Sequence, residues 1–336
     1  MGKEKLNIII PMAGYGSRLR PQTWSKPKPL VSTAGKPVLA HVLDIAGQIA
    51  DLDNAEISFI IGYQGEQVKP FMQEYFPNIK ANYYVQQELR GQSHAIYMAK
   101  DNLRGPTMVL FVDTLIDSNI SIPTADEADG VVWVKEVEDP RRFGVVSVDA
   151  NGNVEHLIEK PDNFDNRLAI IGYYYFAKGE VLREAIEKQI SSNDTKNGEH
   201  FIADAISIMI ANGARVKAQT VDVWMDAGTP EAVFETNRYF LEKHHGDQIE
   251  HLFSEDVIVN PPAYIHPSAK ISNSMLGPNV SIAANCEIND SRIDNSILED
   301  GAIVSDSELT RSILGKKAHV KKYKGQLNIG DDSTVD

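Results

Sequence analysis

The sequence lacks several features that would assign it to a particular class of protein. Its single cysteine, Cys286, excludes an intramolecular disulfide and a cysteine-based zinc cluster, as is typical of a reducing compartment. No apolar run reaches the roughly 20 residues that a membrane-spanning helix needs. The apolar run Ile8–Ile10 meets Pro11 before it attains signal-peptide length. We therefore expect a soluble, cytoplasmic protein with no membrane partner.

Positive charge is also scarce. The 336 residues include 33 Lys and Arg against 47 Asp and Glu, which gives a net charge of -14. Such an acidic chain has no broad electrostatic attraction for nucleic acid or anionic lipid, so any polyanion that it binds is expected to be small and held locally. The 42% of hydrophobic residues and the length are those of a globular protein with either one large domain and a smaller one or two domains of middling size.

Short apolar runs alternate with helical periodicity over the first hundred residues, which predicts an α/β fold with a mostly parallel sheet. The predicted strands are Leu6–Ile10, Ile57–Ile61, Ala81–Val85 and Met108–Val112, and the predicted helices are Val38–Ile49, Glu66–Tyr75 and Ser93–Asp101. Between 131 and 158 the alternation has a period of two, which predicts antiparallel strands that cover the sheet. Helical patterns return at 180–212 and 230–244. Open α/β sheets bind ligands at the carboxyl ends of their strands, where we expect the site.

From about residue 257 the chain is poor in helix formers, and aliphatic residues recur at every sixth position. The spaced residues are Ile265 and Ile271; Leu276, Ile282 and Ile288; Leu298 and Val304; Leu314 and Val320. This spacing predicts a parallel β-helix of about four coils, although the register slips more than once. The alternative is a meander of short antiparallel strands.

The segment from Ile8 to Leu30 joins a predicted buried strand to a glycine turn. Gly14 and Gly16 allow the backbone to approach a phosphate. Four cations follow within eleven residues: Arg18, Arg20, Lys26 and Lys28. A small, highly charged anion is the ligand that this cluster indicates. The dinucleotide pattern G-x-G-x-x-G fails at Leu19, and the P-loop pattern fails at Arg18, so neither nicotinamide nor Walker-type ATP binding is favoured.

Several motifs resemble those of the sugar-1-phosphate nucleotidylyltransferases. The motifs are Ala13-Gly14-Tyr15-Gly16-Ser17-Arg18, Pro27-Lys28-Pro29-Leu30, Gln86 with Gly91, Asp113, Phe143-Gly144-Val145-Val146, Glu159-Lys160-Pro161, Gly198-Glu199 and Trp224-Met225-Asp226-Ala227-Gly228-Thr229. The resemblance implies a Rossmann-like nucleotidyltransferase domain over 1–245 and a short left-handed parallel β-helix over 246–336. It also implies transfer of a nucleotidyl group from dTTP or UTP to a sugar 1-phosphate, with glucose 1-phosphate favoured.

The same resemblance implies a role for each candidate site residue. Ala13, Gly14 and Gly16 would lie against the triphosphate, and Gln86 with Gly91 would read the nucleotide base. Arg18 would hold the leaving pyrophosphate and Lys28 the α-phosphate. Lys160 would receive the sugar phosphate, while Gly144, Glu159 and Gly172 would contact the sugar. Asp113 and Asp226 would hold Mg²⁺.

Three other readings of the sequence remain open. The tail could add acyl transfer in a bifunctional enzyme, the enzyme could be a mannose-1-phosphate guanylyltransferase, or the chain could be a regulatory homologue without turnover. Replacement of the family's usual Gly-Asp-Asn by Val112-Asp113-Thr114 leaves the nucleotide undecided. We expect a homo-oligomer formed through the tail, so that deletion of 250–336 changes assembly or stability before chemistry.

Several individual side chains can also be explained by structural roles instead of functional ones. Arg20 and Lys26 are as well explained by supporting charge as by plain surface. His94 is expected to be structural, and the aromatic side chains from Tyr173 to Tyr175 are expected to pack. Trp224 could pack or could stack on a sugar.

Overall fold

A computed structural model of the chain describes residues 5–124, 126–192, 195, 198–245 and 256–336. The described residues form two compact units. The sheet unit comprises those within Met1–Gly14 and Val42–Trp224, and the β-helix unit comprises those within Tyr15–His41 and Met225–Asp336. In the described part of the chain, no helix is long and apolar enough to cross a membrane.

Strands and helices are mixed along the chain up to residue 245, with six successive strands between α3 and α4. The strands are β1 Asn7–Pro11, β2 Ser32–Thr33, β3 Lys36–Pro37, β4 Glu56–Ile61, β5 Ala81–Val85, β6 Thr107–Leu110, β7 Thr114–Asp117, β8 Gly130–Glu136, β9 Gly144–Val148, β10 Val154–Glu159, β11 Leu168–Phe176, β12 Val216–Thr220 and β13 Val223–Asp226. The helices are α1 Val38–Ile49, α2 Val68–Tyr75, α3 Gln92–Tyr97, α4 Gly179–Ser192, α5 Ile202–Ala211 and α6 Pro230–His244. The predicted mostly parallel core and its helices are confirmed, with shifts of a few residues at their ends.

One nine-stranded sheet forms the centre of the sheet unit among the described residues. Its path runs β10-β9-β11-β6-β1-β4-β5, while β8 pairs with both β11 and β12. Strands β6, β1, β4 and β5 are parallel, and β9, β10 and β11 pair antiparallel. The prediction that 131–158 covers the sheet is therefore wrong, because these strands extend it sideways. Alternation along a strand reports which faces are buried and does not say which strand is the neighbour.

The central strands are buried on both faces, as expected for parallel strands between helices. Ile8, Ile9 and Ile10 of β1 are fully buried, and Val109 of β6 is equally inaccessible. The helices α3, α4 and α5 supply apolar residues to the same core. This buried layer sets the positions at which the loops at the strand ends begin.

The tail forms a left-handed parallel β-helix. Its three faces are sheets of five short strands each, so the described tail has five coils where the sequence predicted about four. The strands are β14 Val257–Val259, β15 Ala263–Ile265, β16 Lys270–Ser272, β17 Ser274–Leu276, β18 Val280–Ile282, β19 Glu287–Asn289, β20 Arg292–Asp294, β21 Ile297–Leu298, β22 Ile303–Ser305, β23 Glu308–Thr310, β24 Ile313–Leu314, β25 His319–Lys321, β26 Lys324–Gly325, β27 Asn328–Ile329 and β28 Thr334–Val335. Ile282, Ile288 and Val304 are fully buried, which confirms the six-residue periodicity.

Buried serines account for the places where the six-residue register slips. Ser291 N donates to Ser274 Oγ at 3.1 Å, and Ser307 N donates to Ser291 Oγ at 3.2 Å. A second ladder runs from Ser312 N to Ser296 Oγ at 3.1 Å. Each hydroxyl accepts a backbone bond from the next coil, so a polar residue occupies the corner without leaving a buried donor unsatisfied.

Candidate functional site

Several candidate residues of the sheet unit lie just beyond the carboxyl ends of parallel strands. Ala13 and Gly14 follow β1, Gln86 follows β5, and Asp113 lies three residues beyond β6. Backbone bonds continue the pairing past the strands, since Met12 N donates to Ile60 O and Gln86 N donates to Ile61 O, both at 2.8 Å. These residues therefore stand at the edge where open α/β sheets bind ligands.

The turn after β1 brings one closely packed residue and one open residue together. Ala13 is buried, and a Cβ added to Gly62 of the neighbouring strand end would collide with its carbonyl oxygen. At Gly14, by contrast, an added Cβ would meet no described heavy atom within 4 Å. Packing against the described residues therefore does not explain a glycine at position 14.

Gln86 is held by His94 of α3. The Gln86 side chain is 6% exposed, and its Nε2 donates to His94 Nδ1 at 2.9 Å. Burial lowers the pKa of His94, with a further contribution from the charge of Arg90, so the neutral ring that accepts this bond is favoured. His94 is therefore structural, as expected, and it also orients a candidate base-reading side chain.

Gly91 permits close backbone packing. Its φ of 96° lies in the region that favours glycine, and an added Cβ would stand only 2.6 Å from His200 O. His200 N donates to Arg90 O and Ser93 N donates to His200 O, both at 3.0 Å. The backbone near the Gly198-Glu199 motif thus packs against the start of α3, a packing reason for Gly91 that the sequence did not indicate.

Gly172 lies against the segment that carries Asp113. It interrupts the pairing of β11 with a φ of 87°, and an added Cβ would lie 3.0 Å from Phe111 Cβ and 3.3 Å from Thr114 Oγ1. Phe111 N donates to Gly172 O at 2.9 Å. Tyr173 Oη of the same strand donates to Thr114 O at 3.2 Å. The half-buried Asp113 therefore lies between two residues that bond to β11.

Gly144, Glu159 and Lys160 come together through the pairing of β9 with β10. Glu159 pairs with Gly144, and an added Cβ there would lie 2.8 Å from Glu159 Oε2, so the carboxylate covers the glycine. Lys160 has a left-handed backbone with φ 48°, and its N donates to Phe143 O at 3.0 Å. Its ammonium lies 5.2 Å from the Phe201 ring centroid. Lys160 is exposed, and its left-handed backbone costs about 1 kcal/mol or more.

Gly16 and Lys28 lie side by side in the β-helix unit. Gly16 has a φ of 61°, and an added Cβ would be 3.1 Å from Lys28 Cβ and 3.0 Å from Thr23 Cγ2. Thr23 Oγ1 donates to Gly16 O at 2.8 Å, which closes the turn. The glycine turn and Lys28 are thus fixed to each other.

The side chains of Arg18 and Asp226 both lie close to Gly228. A Cβ added to Gly228 would lie 3.1 Å from Arg18 Nη2 and 2.8 Å from Asp226 Oδ1. Thr236 Oγ1 of α6 donates to Asp226 O at 2.9 Å, and Thr229 caps the same helix through Ala232 N at 3.2 Å. The Asp226 motif therefore presents its carboxylate beside the guanidinium of the opening loop.

Lys26 does not belong with the other cations of the opening segment. Its side chain is buried, it forms an ion pair with Glu299, and its Nζ lies 3.3 Å from Asp331 Oδ1. The sequence interpretation that four cations share one anion is therefore wrong for Lys26, while Arg18 and Arg20 are exposed. Nothing local predicted this, because both carboxylates lie more than 270 residues further along the chain.

Comparison with known proteins decides the family. A family model described as nucleotidyl transferase matches residues 7–243, and one described as GMPPB C-terminal domain matches 259–334. The chain belongs to the nucleotidyl transferase family. UTP–glucose-1-phosphate uridylyltransferase AglF of Haloferax volcanii is 30% identical over 67% of this chain and 93% of its own length. Glucose-1-phosphate thymidylyltransferase of Streptomyces griseus is 26% identical over 98% of both chains.

A solved structure supports the fold of this nucleotidyl transferase. UDP-glucose pyrophosphorylase complexed with UDP-glucose superposes with a TM-score of 0.60 at 21% identity, over 71% of this chain and all of that one. The predicted nucleotidyltransferase fold is confirmed by this likeness and by the family match.

The aromatic side chains of this nucleotidyl transferase pack, as the sequence suggested for the tyrosines. Tyr173, Tyr174 and Tyr175 are all buried in β11. Trp224 contacts Phe143 edge to face, with 5.0 Å between ring centroids. This contact joins two of the motifs that carried the resemblance.

A divalent ion would find few protein ligands. Among the described residues, no group of three or more His, Cys, Asp and Glu side chains is arranged to hold a metal. Mg²⁺ characteristically takes one or two carboxylates and completes its shell with water and substrate phosphates. Single carboxylates such as Asp113 and Asp226 fit an ion that arrives with a nucleotide, and they do not fit an all-protein metal cage.

Proposed function

We propose that this nucleotidyl transferase joins a sugar 1-phosphate to the α-phosphate of dTTP or UTP and releases pyrophosphate. Glucose 1-phosphate is the proposed acceptor, because both relatives are named as glucose-1-phosphate nucleotidylyltransferases. The observation that carries the proposal is the opening loop, in which Gly16 adjoins Lys28, and Arg18 shares Gly228 with Asp226.

The reaction makes little demand for a general base. The attacking phosphate oxygen is already ionised near pH 7, since the second pKa of a phosphate monoester is about 6. The obstacle is the repulsion between two polyanions, which positioned cations reduce while they align the attack. We propose that Arg18 holds the leaving pyrophosphate, Lys28 the α-phosphate and Lys160 the sugar phosphate.

The remaining residues would bind and orient the substrates. Ala13, Gly14 and Gly16 would lie along the triphosphate, and Gln86 would read the base with its buried amide. Glu159 would accept bonds from sugar hydroxyls beside Gly144. Asp113 and Asp226 would hold Mg²⁺, whose chemistry is to neutralise the charge on the phosphates.

Release of pyrophosphate tests the proposal directly. The purified chain is incubated with magnesium, each nucleoside triphosphate in turn and a panel of sugar 1-phosphates that includes mannose 1-phosphate, and pyrophosphate is measured. We expect release with dTTP or UTP and glucose 1-phosphate. Release only with GTP and mannose 1-phosphate would favour the guanylyl alternative, and no release with any pair would contradict the proposal.

A further inference from the structure

We infer that Lys26 is a positioning residue for this reaction, and that the β-helix, through Glu299 and Asp331, holds the loop that presents Arg18 and Lys28. The effect on activity rests on the proposed function, whereas the anchoring of the loop does not. We call Lys26, Gln22, Glu299 and Asp331 the loop anchor.

The ionic part of the loop anchor is enclosed. The side chains of Lys26 and Glu299 are 4% and 2% exposed, and both belong to the β-helix unit. Glu299 Oε1 also accepts from Ser32 N at 3.4 Å, and Asp331 Oδ2 accepts from Ser25 Oγ at 2.7 Å. Two carboxylates of the β-helix therefore contact the loop at three places around one buried ammonium.

The neutral part of the loop anchor is equally enclosed. Gln22 is fully buried, and its Nε2 donates to Ile329 O at 2.7 Å and to Asn328 Oδ1 at 3.0 Å. Ile329 and Asn328 belong to β27 in the last coil, while Ile313 O of β24, 3.3 Å away, accepts from the same nitrogen. One side chain of the loop thus bridges two successive coils.

Such an arrangement favours a role in position more than in stability. Desolvation of two charges offsets much of their attraction, so an apolar pair of similar volume often stabilises a fold as well or better. A buried ion pair instead holds the loop in one position, because any displacement of the loop separates charges that water does not reach. Loss of Lys26 removes the ammonium that both carboxylates contact, and loss of Glu299 leaves Lys26 with only its longer contact to Asp331, so either change is unfavourable.

The loop anchor is connected to the candidate phosphate-binding residues through short, stiff segments. Thr23, next to Gln22, bonds to Gly16 O at 2.8 Å. Lys28 follows Lys26 by two residues and stands between Pro27 and Pro29, whose rings fix the backbone φ. The position of Lys28 therefore follows that of Lys26. Because of these contacts, we expect deletion of the tail to affect the chemistry as directly as it affects assembly. The sequence alone had suggested that assembly or stability would change first.

A proteolytic assay measures loop anchoring without any substrate. Between Tyr15 and His41 the bonds after Arg20, Lys26, Lys28 and Lys36 all precede proline and resist trypsin, which leaves only Arg18–Leu19. Leu19 is 1% exposed, so cleavage there requires the loop to open. The rate at which native full-length protein yields the new end at Arg18, followed by mass spectrometry, therefore reports loop opening.

The variants are Glu299→Gln, Lys26→Met and the double variant Lys26→Met/Glu299→Met. The matched control is Glu287→Gln, which removes a carboxylate that pairs with Lys270 at 2.9 Å elsewhere on the β-helix. We expect Glu299→Gln to speed cleavage at Arg18–Leu19 by about tenfold or more and to raise the KM for nucleoside triphosphate more than that for sugar phosphate. The control should change neither quantity.

The double variant keeps the test decisive if a single variant does not fold, because it leaves no unpaired charge at positions 26 and 299. We expect it to be folded and still cleaved faster than the wild type, since Asp331 has lost its ammonium partner. Wild-type cleavage together with a wild-type nucleotide KM in the double variant would overturn the inference. If the wild type released no pyrophosphate with any substrate pair, the proposed function would fail, while the cleavage rates would still decide the anchoring.

Discussion

The two units hold their candidate site residues in different ways. In the sheet unit, Gln86 and Lys160 directly follow strands β5 and β10, and backbone bonds to adjacent strands fix them. In the β-helix unit, Arg18 and Lys28 lie on a loop whose fixed points, Gln22 and Lys26, contact residues 307 and 273 positions away. The positions of Gln86 and Lys160 depend on the pairing of the sheet. The positions of Arg18 and Lys28 depend on side-chain contacts with residues that no local sequence pattern connects to the loop.

The largest expected effects concern Asp113 of the sheet unit and Asp226 of the β-helix unit, each considered by itself. We expect Asp113→Asn and Asp226→Asn each to reduce turnover by at least about 100-fold with folding largely intact, because removal of an electrostatic partner of the reacting phosphates costs that much. Steady-state pyrophosphate release measures the turnover, and circular dichroism measures whether the variants are folded.

Asp222→Asn is the matched control for these variants, since Asp222 is an exposed carboxylate that accepts from Ser118 Oγ at 3.0 Å. It should keep near wild-type turnover. Full activity of either test variant at ordinary magnesium concentration would remove that aspartate from the metal site.

Much of the sheet unit could be predicted from the sequence, because strand and helix periodicities report burial directly. The six-residue spacing predicted the β-helix for the same reason, and Ile282 and Ile288 point inwards as expected. Neighbour relations could not be predicted, as the placement of β9 and β10 in the main sheet illustrates.

The same limit applied to the site. The motifs identified Arg18 and Asp226, but a contact between residues 273 positions apart decides that Lys26 pairs with Glu299. His94 is only eight residues from Gln86, yet no motif indicated that the two side chains bond to each other. The domain boundary at 245 and 246, assembly through the tail and the cytoplasmic location stay predictions.

The next largest expected effect distinguishes two glycines of the sheet unit, one required for packing and one for nucleotide binding. We expect Gly91→Ala to lower the free energy of unfolding by about 2 kcal/mol or more, because an added Cβ meets the His200 backbone at an unfavourable φ. Gly14→Ala should leave stability nearly unchanged but weaken nucleotide binding, since its Cβ meets no described heavy atom within 4 Å. Chemical denaturation and nucleotide titration separate the two effects. Equal losses of stability in both variants would show that position 14 is also a packing position.

Lys160 sharpens the contrast between an exposed cation and the buried Lys26. We expect Lys160→Ala to raise the KM for sugar 1-phosphate by about tenfold with little change in the KM for nucleotide, as loss of a charge-assisted bond to one substrate does. Lys178→Ala, a change outside the motifs, serves as a control. A rise in the KM for nucleotide that exceeds the rise for sugar 1-phosphate would show that Lys160 does not bind the sugar phosphate.

The smallest expected effect concerns pH at His94. Burial lowers its pKa in the folded protein below the ordinary value, so the folded state binds the proton less readily than the unfolded state. The resulting stability is present above the unfolded pKa of about 6.5 and is lost as pH falls through the lower folded value. Protonated Nδ1 no longer accepts from Gln86, so we expect the wild-type KM for nucleotide to rise about threefold as pH falls through this range. His94→Asn retains an acceptor that does not titrate and should flatten the profile. Parallel profiles in the two proteins would mean that the orientation of Gln86 does not depend on His94.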